Sequence, residues 1–137
     1  MIAETDSHKQ FKIQKHIRQT EDHLVIWIKE ALDNKTSYGD LEEAQFRNLL
    51  RVADTTESAE VIKNFIRYQE GRDKKWGRGQ GSLAEKIISH IDEEIKQAAK
   101  TIANGNQADL NPIWLELIRR YLGYGARHLK YKREGAA

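Results

Sequence analysis

Cysteine is absent from this chain of 137 residues, so neither disulfides nor thiolate-bound metal can hold it together. Packing must supply the stability, and the absence suits a reducing compartment. Proline occurs once, and no proline-rich segment interrupts the chain. No apolar run approaches the roughly 20 residues of a membrane span, and the opening Met-Ile-Ala-Glu-Thr-Asp-Ser lacks the apolar core of a signal peptide. These absences predict a soluble, cytoplasmic protein with no membrane partner. Strand signals are nearly missing as well. The net charge is only +2, which does not mark the whole chain as a polyanion binder, so a nucleic-acid role must rest on local asymmetry.

What is present is helix punctuation. The length and an apolar content of 39% allow one domain with a modest core. We expect an all-α, single-domain bundle of about five helices over residues 20–133, between a basic N-terminal extension, 1–19, and a short tail, 134–137. The first helix covers Phe11 or Thr20 to Asp33 and buries Leu24, Trp27, Ile28 and Ala31. Asp40, with Glu43 three residues on, reads as the capping box of a second helix that ends near Asp54 and buries Leu41, Ala44, Leu49 and Val52. Thr55 or Thr56 caps a third, in which Val61, Ile62, Phe65 and Ile66 recur at helical spacing. It runs to Glu70, and Gly71 suits the left-handed position beyond its last turn. Ser82 with Glu85 opens a fourth, whose stripe of Leu83, Ile87, Ile88, Ile91, Ile95, Ala98 and Ile102 is the clearest in the chain and stops at Asn104-Gly105. Asn111 caps a fifth, with Pro112 at its first position and Ile113, Leu117, Ile118, Tyr121, Leu122 and Leu129 inward. The basic end beyond Lys130 is expected to fray.

Charge is unevenly spread. From Val61 to Gln80 the bases Lys63, Arg67, Arg72, Lys74, Lys75 and Arg78 face only Glu70 and Asp73, and from Ile113 to Arg133 six bases face Glu116 alone. The stretch Asp40 to Glu60 is net acidic. In Asp73 to Gly81 the bases are interleaved with Trp76 and alternating glycines before a helix start, a mixture suited to a phosphate backbone. The alternative is a plain mobile connection. Trp76 either stacks on a base or packs on the bundle. A second stripe, Tyr121, Tyr124, Arg127, Lys130 and Tyr131, is either a core edge with snorkelling bases or a further contact surface.

Other chemistry is thinly supported. Gly77-Arg78-Gly79-Gln80-Gly81-Ser82 imitates a dinucleotide fingerprint, but charged helical residues, not a buried strand, precede it. Arg18 and His23 match the loose Arg-His spacing of a family of helical-bundle ribonucleases, a match that chance supplies about once in a chain of this composition. His90 and Glu94 sit at i,i+4 as two metal ligands without a third. No catalytic residue, metal or cofactor is therefore assigned.

Three segments together resemble the small helical subunit of type III CRISPR ribonucleoprotein effector complexes, closest to the III-A type. They are Gln45-Phe46-Arg47-Asn48-Leu49-Leu50, then Phe65-Ile66-Arg67-Tyr68-Gln69-Glu70-Gly71-Arg72, and a final helix bearing Tyr124, Arg127, His128, Lys130 and Tyr131. The Asp73 to Gly81 loop and the basic start through Arg18 depart from that pattern. The resemblance implies a noncatalytic antiviral-defence subunit that lines the path of guide RNA and target RNA. It would contact other effector subunits and copies of itself, while cutting belongs elsewhere. It implies RNA contact by Arg47, Arg67 and Arg72, although Arg47 also stands at i,i+4 from Glu43. Lys74, Lys75 and Arg78 join them by position, Arg127 and Lys130 from the last helix, with Trp76 and Tyr131 as stacking candidates. A protein-only scaffold and the Arg18/His23 ribonuclease are the alternatives.

Overall fold

The computed structural model describes residues 6–135. Six α-segments make five rods: α1 (Asp6–Asp33), α2 (Glu43–Thr55), α3 (Ala59–Arg72), α4 (Leu83–His90), α5 (Lys96–Ala103) and α6 (Gln107–Gly135). A π-helical turn, Ile91–Ile95, joins α4 to α5 without a break. Among the described residues there is no strand, as expected of an all-α bundle. No helix there is long and apolar enough to cross a membrane.

α6 is the central rod, packed on α1, α2 and α5, while α3 closes the bundle against α2 and α4. The Ile stripe is core as predicted through Ile95, with Ile87, Ile91 and Ile95 fully buried and Ile88 5% exposed; beyond it Ala99 and Ala103 are buried, whereas the expected Ala98 and Ile102 are only half-buried. The π turn shifts the backbone pairing, and Trp114 Nε1 donates to the Ile91 carbonyl at its head (2.8 Å). His90, just before it, is buried with Nδ1 2.6 Å from the Tyr121 hydroxyl. Burial lowers the His90 pKa and raises that of Tyr121, so both are neutral at pH 7.

The tightest approach joins α2 to α6. A Cβ on Gly125 would lie 2.5 Å from Phe46 Cε1 and 2.9 Å from Ile28 Cγ1, so only bare backbone fits there. Phe46, which periodicity did not place inside, is fully buried and also meets the Trp76 ring at 5.3 Å.

Several boundaries differ from expectation. α1 does not start at Phe11 or Thr20: the Thr20 hydroxyl back-bonds to the His16 carbonyl (2.9 Å) within a continuing helix, and Ile13 and Ile17 are buried. Residues 6–19 are thus part of the bundle rather than an extension, with Lys9 pairing with Asp109 at the start of α6 (2.7 Å). α2 starts after Glu42, not Asp40; the Glu42 N–H bonds back to Gln45 Oε1 (2.8 Å), because Leu41 is drawn fully inside before the helix turns. Ala44 is exposed. Ser58, not Thr55 or Thr56, caps α3 by accepting from the Val61 N–H, and Val61 itself points outward. Gly71 is helical, not left-handed, since α3 continues to Arg72.

Asn106 rather than Asn111 caps α6, its Oδ1 accepting from the Ala108 and Asp109 N–H groups. Pro112 therefore falls inside the helix, where its missing N–H affects the carbonyl of exposed Ala108, which can turn to water. Asn111 instead donates to the Glu57 carbonyl (3.0 Å), tying α6 to the α2–α3 turn. Ser82 and the left-handed Asn104 (φ 51°) serve as predicted. The end beyond Lys130 stays helical through Gly135, held by Arg133 donating to the Leu41 and Gly39 carbonyls (2.8 and 3.1 Å). Residues 1–5 of the expected extension and 136–137 of the tail lie outside the described residues.

Two stability tests follow from this packing. Ile91→Ala should lose about 2–5 kcal/mol in chemical denaturation, the range for a fully buried large-to-small change. Gly125→Ala should lower the thermal midpoint because it drives a methyl into Phe46, whereas Gly123→Ala, whose Cβ meets nothing within 4 Å, should raise stability by about 0.5–1 kcal/mol. An equal response of the two glycines would refute the interlock.

Candidate nucleic-acid interface

The α3–α4 loop is held by its own turns. Asp73 Oδ1 accepts the Lys75 N–H (2.8 Å), Gly77 N–H bonds to the Lys74 carbonyl (3.0 Å), and Ser82 N–H to the Gly79 carbonyl (3.1 Å). It rests on the α1–α2 connection, where the Gly39 N–H donates to the Lys75 carbonyl (3.1 Å). Gly77 has φ 78° and abuts that connection so closely that a Cβ would lie 2.1 Å from the Ser37 carbonyl oxygen. Only glycine fits there. Between the two loops lies an open cleft of about 310 Å³, with Thr36, Tyr38 and Gly39 on one wall and Lys74, Arg78 and Gln80 on the other.

Loop and helix start were expected to offer N–H groups to phosphate. Glu70 has taken that role from within: its carboxylate is buried and accepts the Gly79 N–H (2.7 Å) and the Ser82 hydroxyl (3.3 Å). Ser82 Oγ in turn accepts the Glu85 N–H (3.1 Å). A carboxylate at the end of α3 thus supplies the anion that the loop backbone invites, and phosphate contact falls to the side chains.

Those side chains divide into groups. Arg72 and Lys74 are exposed; the nearest carboxylate to Arg72 Nε is Asp73 at 3.9 Å, and among the described residues Lys74 has no ion pair. Lys75 is half-buried, and exposed Arg78 donates to the Gly71 carbonyl (3.1 Å). Arg67, exposed one turn back, faces Glu85. Trp76 is 2% exposed and packed against Phe46, with its carbonyl accepting the Ala84 N–H. It is a core anchor for the loop and is withdrawn as a stacking residue.

On α2 and α6 most of the expected bases are matched by acids, some one turn away on the same helix and some distant in sequence. Arg47 pairs with Glu43, and Lys130 with Glu134 (2.9 Å) and Glu43 (3.7 Å). Asp33 accepts from His128 Nε2 (2.9 Å) and Lys132 Nζ (3.0 Å), bonds that hold its carboxyl below the usual range. Arg120 takes Glu21 and Glu116. Arg127 remains exposed beside the Tyr124 ring (5.9 Å), and Tyr131, 66% exposed, stacks on His128 at 6.1 Å.

Arg18 and His23 do not converge: both are exposed on α1, five positions and so about 140° apart around the helix. His90 Nε2 lies 3.8 Å from Glu94, and no group of three or more candidate metal ligands occurs among the described residues.

No family model, curated protein or solved structure matches this chain. The site must be judged on its own chemistry.

Glu70 and the cleft wall at Thr36–Gly39 were not found by sequence reasoning. A charged residue on a helix reads as solvent-facing, and no local spacing links position 36 to position 78. The carboxyl pair gives a pH test. The hydrogen bond with Glu70, followed by burial, raises the Glu85 pKa, while Arg67 opposes the shift. A raised acid pKa in the folded state means stability is present below the ordinary glutamate range, about pH 4, and is lost as pH rises through the folded value. Glu85→Gln should therefore raise the thermal midpoint at pH 7, and the gain should vanish below about pH 4. A gain unaffected by acid would show that the two carboxyls do not interact.

Proposed function

We propose that this chain is a noncatalytic, RNA-binding small subunit of a type III CRISPR effector complex, steadying guide and target RNA in the cytoplasm by contacts to their backbones. The observation that carries the RNA reading is the cluster Arg72, Lys74, Lys75 and Arg78 on a braced loop, whose ion pairing among the described residues is limited to Arg72 with Asp73 at 3.9 Å. Bases fixed on a rigid support neutralise phosphates without reading sequence, which suits a subunit whose RNA is specified by base pairing elsewhere. The assignment to that complex rests on the three sequence segments. Their packing is compatible with one functional unit, since Phe46 of the first meets the backbone of the last helix at Gly125. Copies of itself and other effector subunits are the proposed protein partners.

Changing Arg72, Lys74, Lys75 and Arg78 together to alanine should weaken RNA retention by the reconstituted complex without altering the helical circular-dichroism signal. Each lost phosphate contact should flatten the logarithmic salt dependence by about 0.7 for single-stranded RNA. Sequence preference should stay the same. Wild-type retention and salt slope, with normal incorporation of the variant, would favour a protein-only scaffold.

A further inference from the structure

The outward face of α3 carries Val61 and Phe65, named above for their helical spacing, together with Tyr68. Val61, Phe65, Tyr68 and Arg72 follow at i, i+4, i+7 and i+11, forming one stripe about 16 Å long. Ile62 and Ile66, about 100° further round the helix, are buried where α3 packs on α2 and α4, and of the stripe itself Phe65 is half-buried against the core. Tyr68 is 58% exposed, and among the described residues its hydroxyl has no hydrogen-bond partner. Its ring is not adrift. Phe65, half-buried against the core, lies 6.4 Å from it at 42° and braces one side.

We propose that Tyr68 is a stacking platform for an unpaired base of single-stranded RNA whose phosphates lie on Arg72 and Lys74. The proposal rests on the RNA-binding reading above and adds to it the strand type and the residue that holds the base. Charge complementarity selects this occupant. Arg67 precedes Tyr68, Arg72 lies one turn beyond it, and exposed Lys74 follows. Asp73, the acid nearest Arg72, already accepts the Lys75 N–H with its other oxygen. Alternating bases and an exposed ring match the alternation of phosphate and base along a single strand. An apolar protein helix would meet only Val61 and part of Phe65 before reaching the arginines.

Tyr131 provides the contrast. It is more exposed, at 66%, but most of the bases around it are paired, Lys130 with Glu134 and Glu43 and His128 and Lys132 with Asp33, which leaves Arg127. A strand at Tyr131 would have to displace carboxylates from Lys130 and Lys132, whereas near Tyr68 Lys74 has no ion pair among the described residues and Arg72 has only Asp73, at 3.9 Å.

The test is a fluorescence titration of the full chain with single-stranded RNA carrying 2-aminopurine, across a salt series, for wild type, Tyr68→Leu, Tyr68→Phe and the fourfold loop variant. Tyr68→Leu should reduce affinity about tenfold or more and abolish the quenching due to stacking, with the salt slope unchanged. Tyr68→Phe should behave as wild type. Duplex RNA, whose bases are already stacked, should bind equally to wild type and Tyr68→Leu. Circular dichroism of Tyr68→Leu should show the wild-type midpoint, because the ring lies outside the core. If Tyr68→Leu binds and quenches like wild type while the loop variant loses its salt slope, stacking is overturned and the RNA reading stands. If neither variant differs from wild type, or wild type does not bind single strands, both fall. Equal weakening of duplex and single strand by Tyr68→Leu would also overturn stacking, in favour of a general backbone contact.

Discussion

The seat of Phe46 against the bare backbone of Gly125 sets the spacing on which the rest of the bundle depends. It brings α2 onto α6, and two arginines of α6 then grip α2 at its ends. Arg119 donates to the Ala53 and Thr56 carbonyls at the C-terminal end (2.8 Å each), and Arg133 to Leu41 and Gly39 before the N-terminal end. The arginines are 14 positions apart, about 21 Å along the axis, which matches a helix of 13 residues. Guanidinium groups on the last carbonyls of a helix complement its dipole as well as its unpaired acceptors. Trp76, packed on the same Phe46 ring, connects the α3–α4 loop to this frame.

That arrangement changes the meaning of the charge pattern. Along the sequence, the final helix shows six bases against Glu116 and invites a nucleic-acid reading. In space, Glu21, Asp33, Glu43 and backbone carbonyls arrive from the other rods, and among the described residues only Arg127 of the six is left with neither a carboxylate nor a carbonyl. In the α3–α4 loop the compensation is smaller, because its main acidic neighbour, Glu70, faces inward onto Gly79 and Ser82. A linear count of charge cannot separate these cases, since the partners lie as many as 99 positions apart, as with Arg120 and Glu21.

The fold itself was more legible. Ile87, Ile88, Ile91 and Ile95 repeat at spacings that only a helix can bury together, and Ser82 and Asn104 carry punctuation that needs no tertiary context. The caps that went astray had competitors within five residues, where the tertiary pull on a neighbour decided. Burial of Leu41 moved the start of α2 to Glu42. The pairing of Asn111 with the Glu57 carbonyl freed Asn106 to cap α6. Trp76 could not be placed from sequence because the pocket that receives it is built from α2, some 30 positions earlier.

The π turn between α4 and α5 makes this rod one whose length cannot drift. Ile91, Ile95, Ala99 and Ala103 all face inward at a constant spacing of four, which an unbroken α-helix would carry progressively around its axis. The widened turn resets that rotation. Loss of one residue between 91 and 95 that left the turn wide would move every later side chain back one position, about 100° around the axis, placing charged Lys96 and Lys100 where Ile95 and Ala99 now sit. The same loss in the outward stretch before Leu41 would only shorten a connection. Over generations, exchange of one apolar side chain for another of similar size should therefore be tolerated around Ile91–Ile95 more readily than any change in its number of residues, and a count of residues there would be a better mark of kinship than their identity.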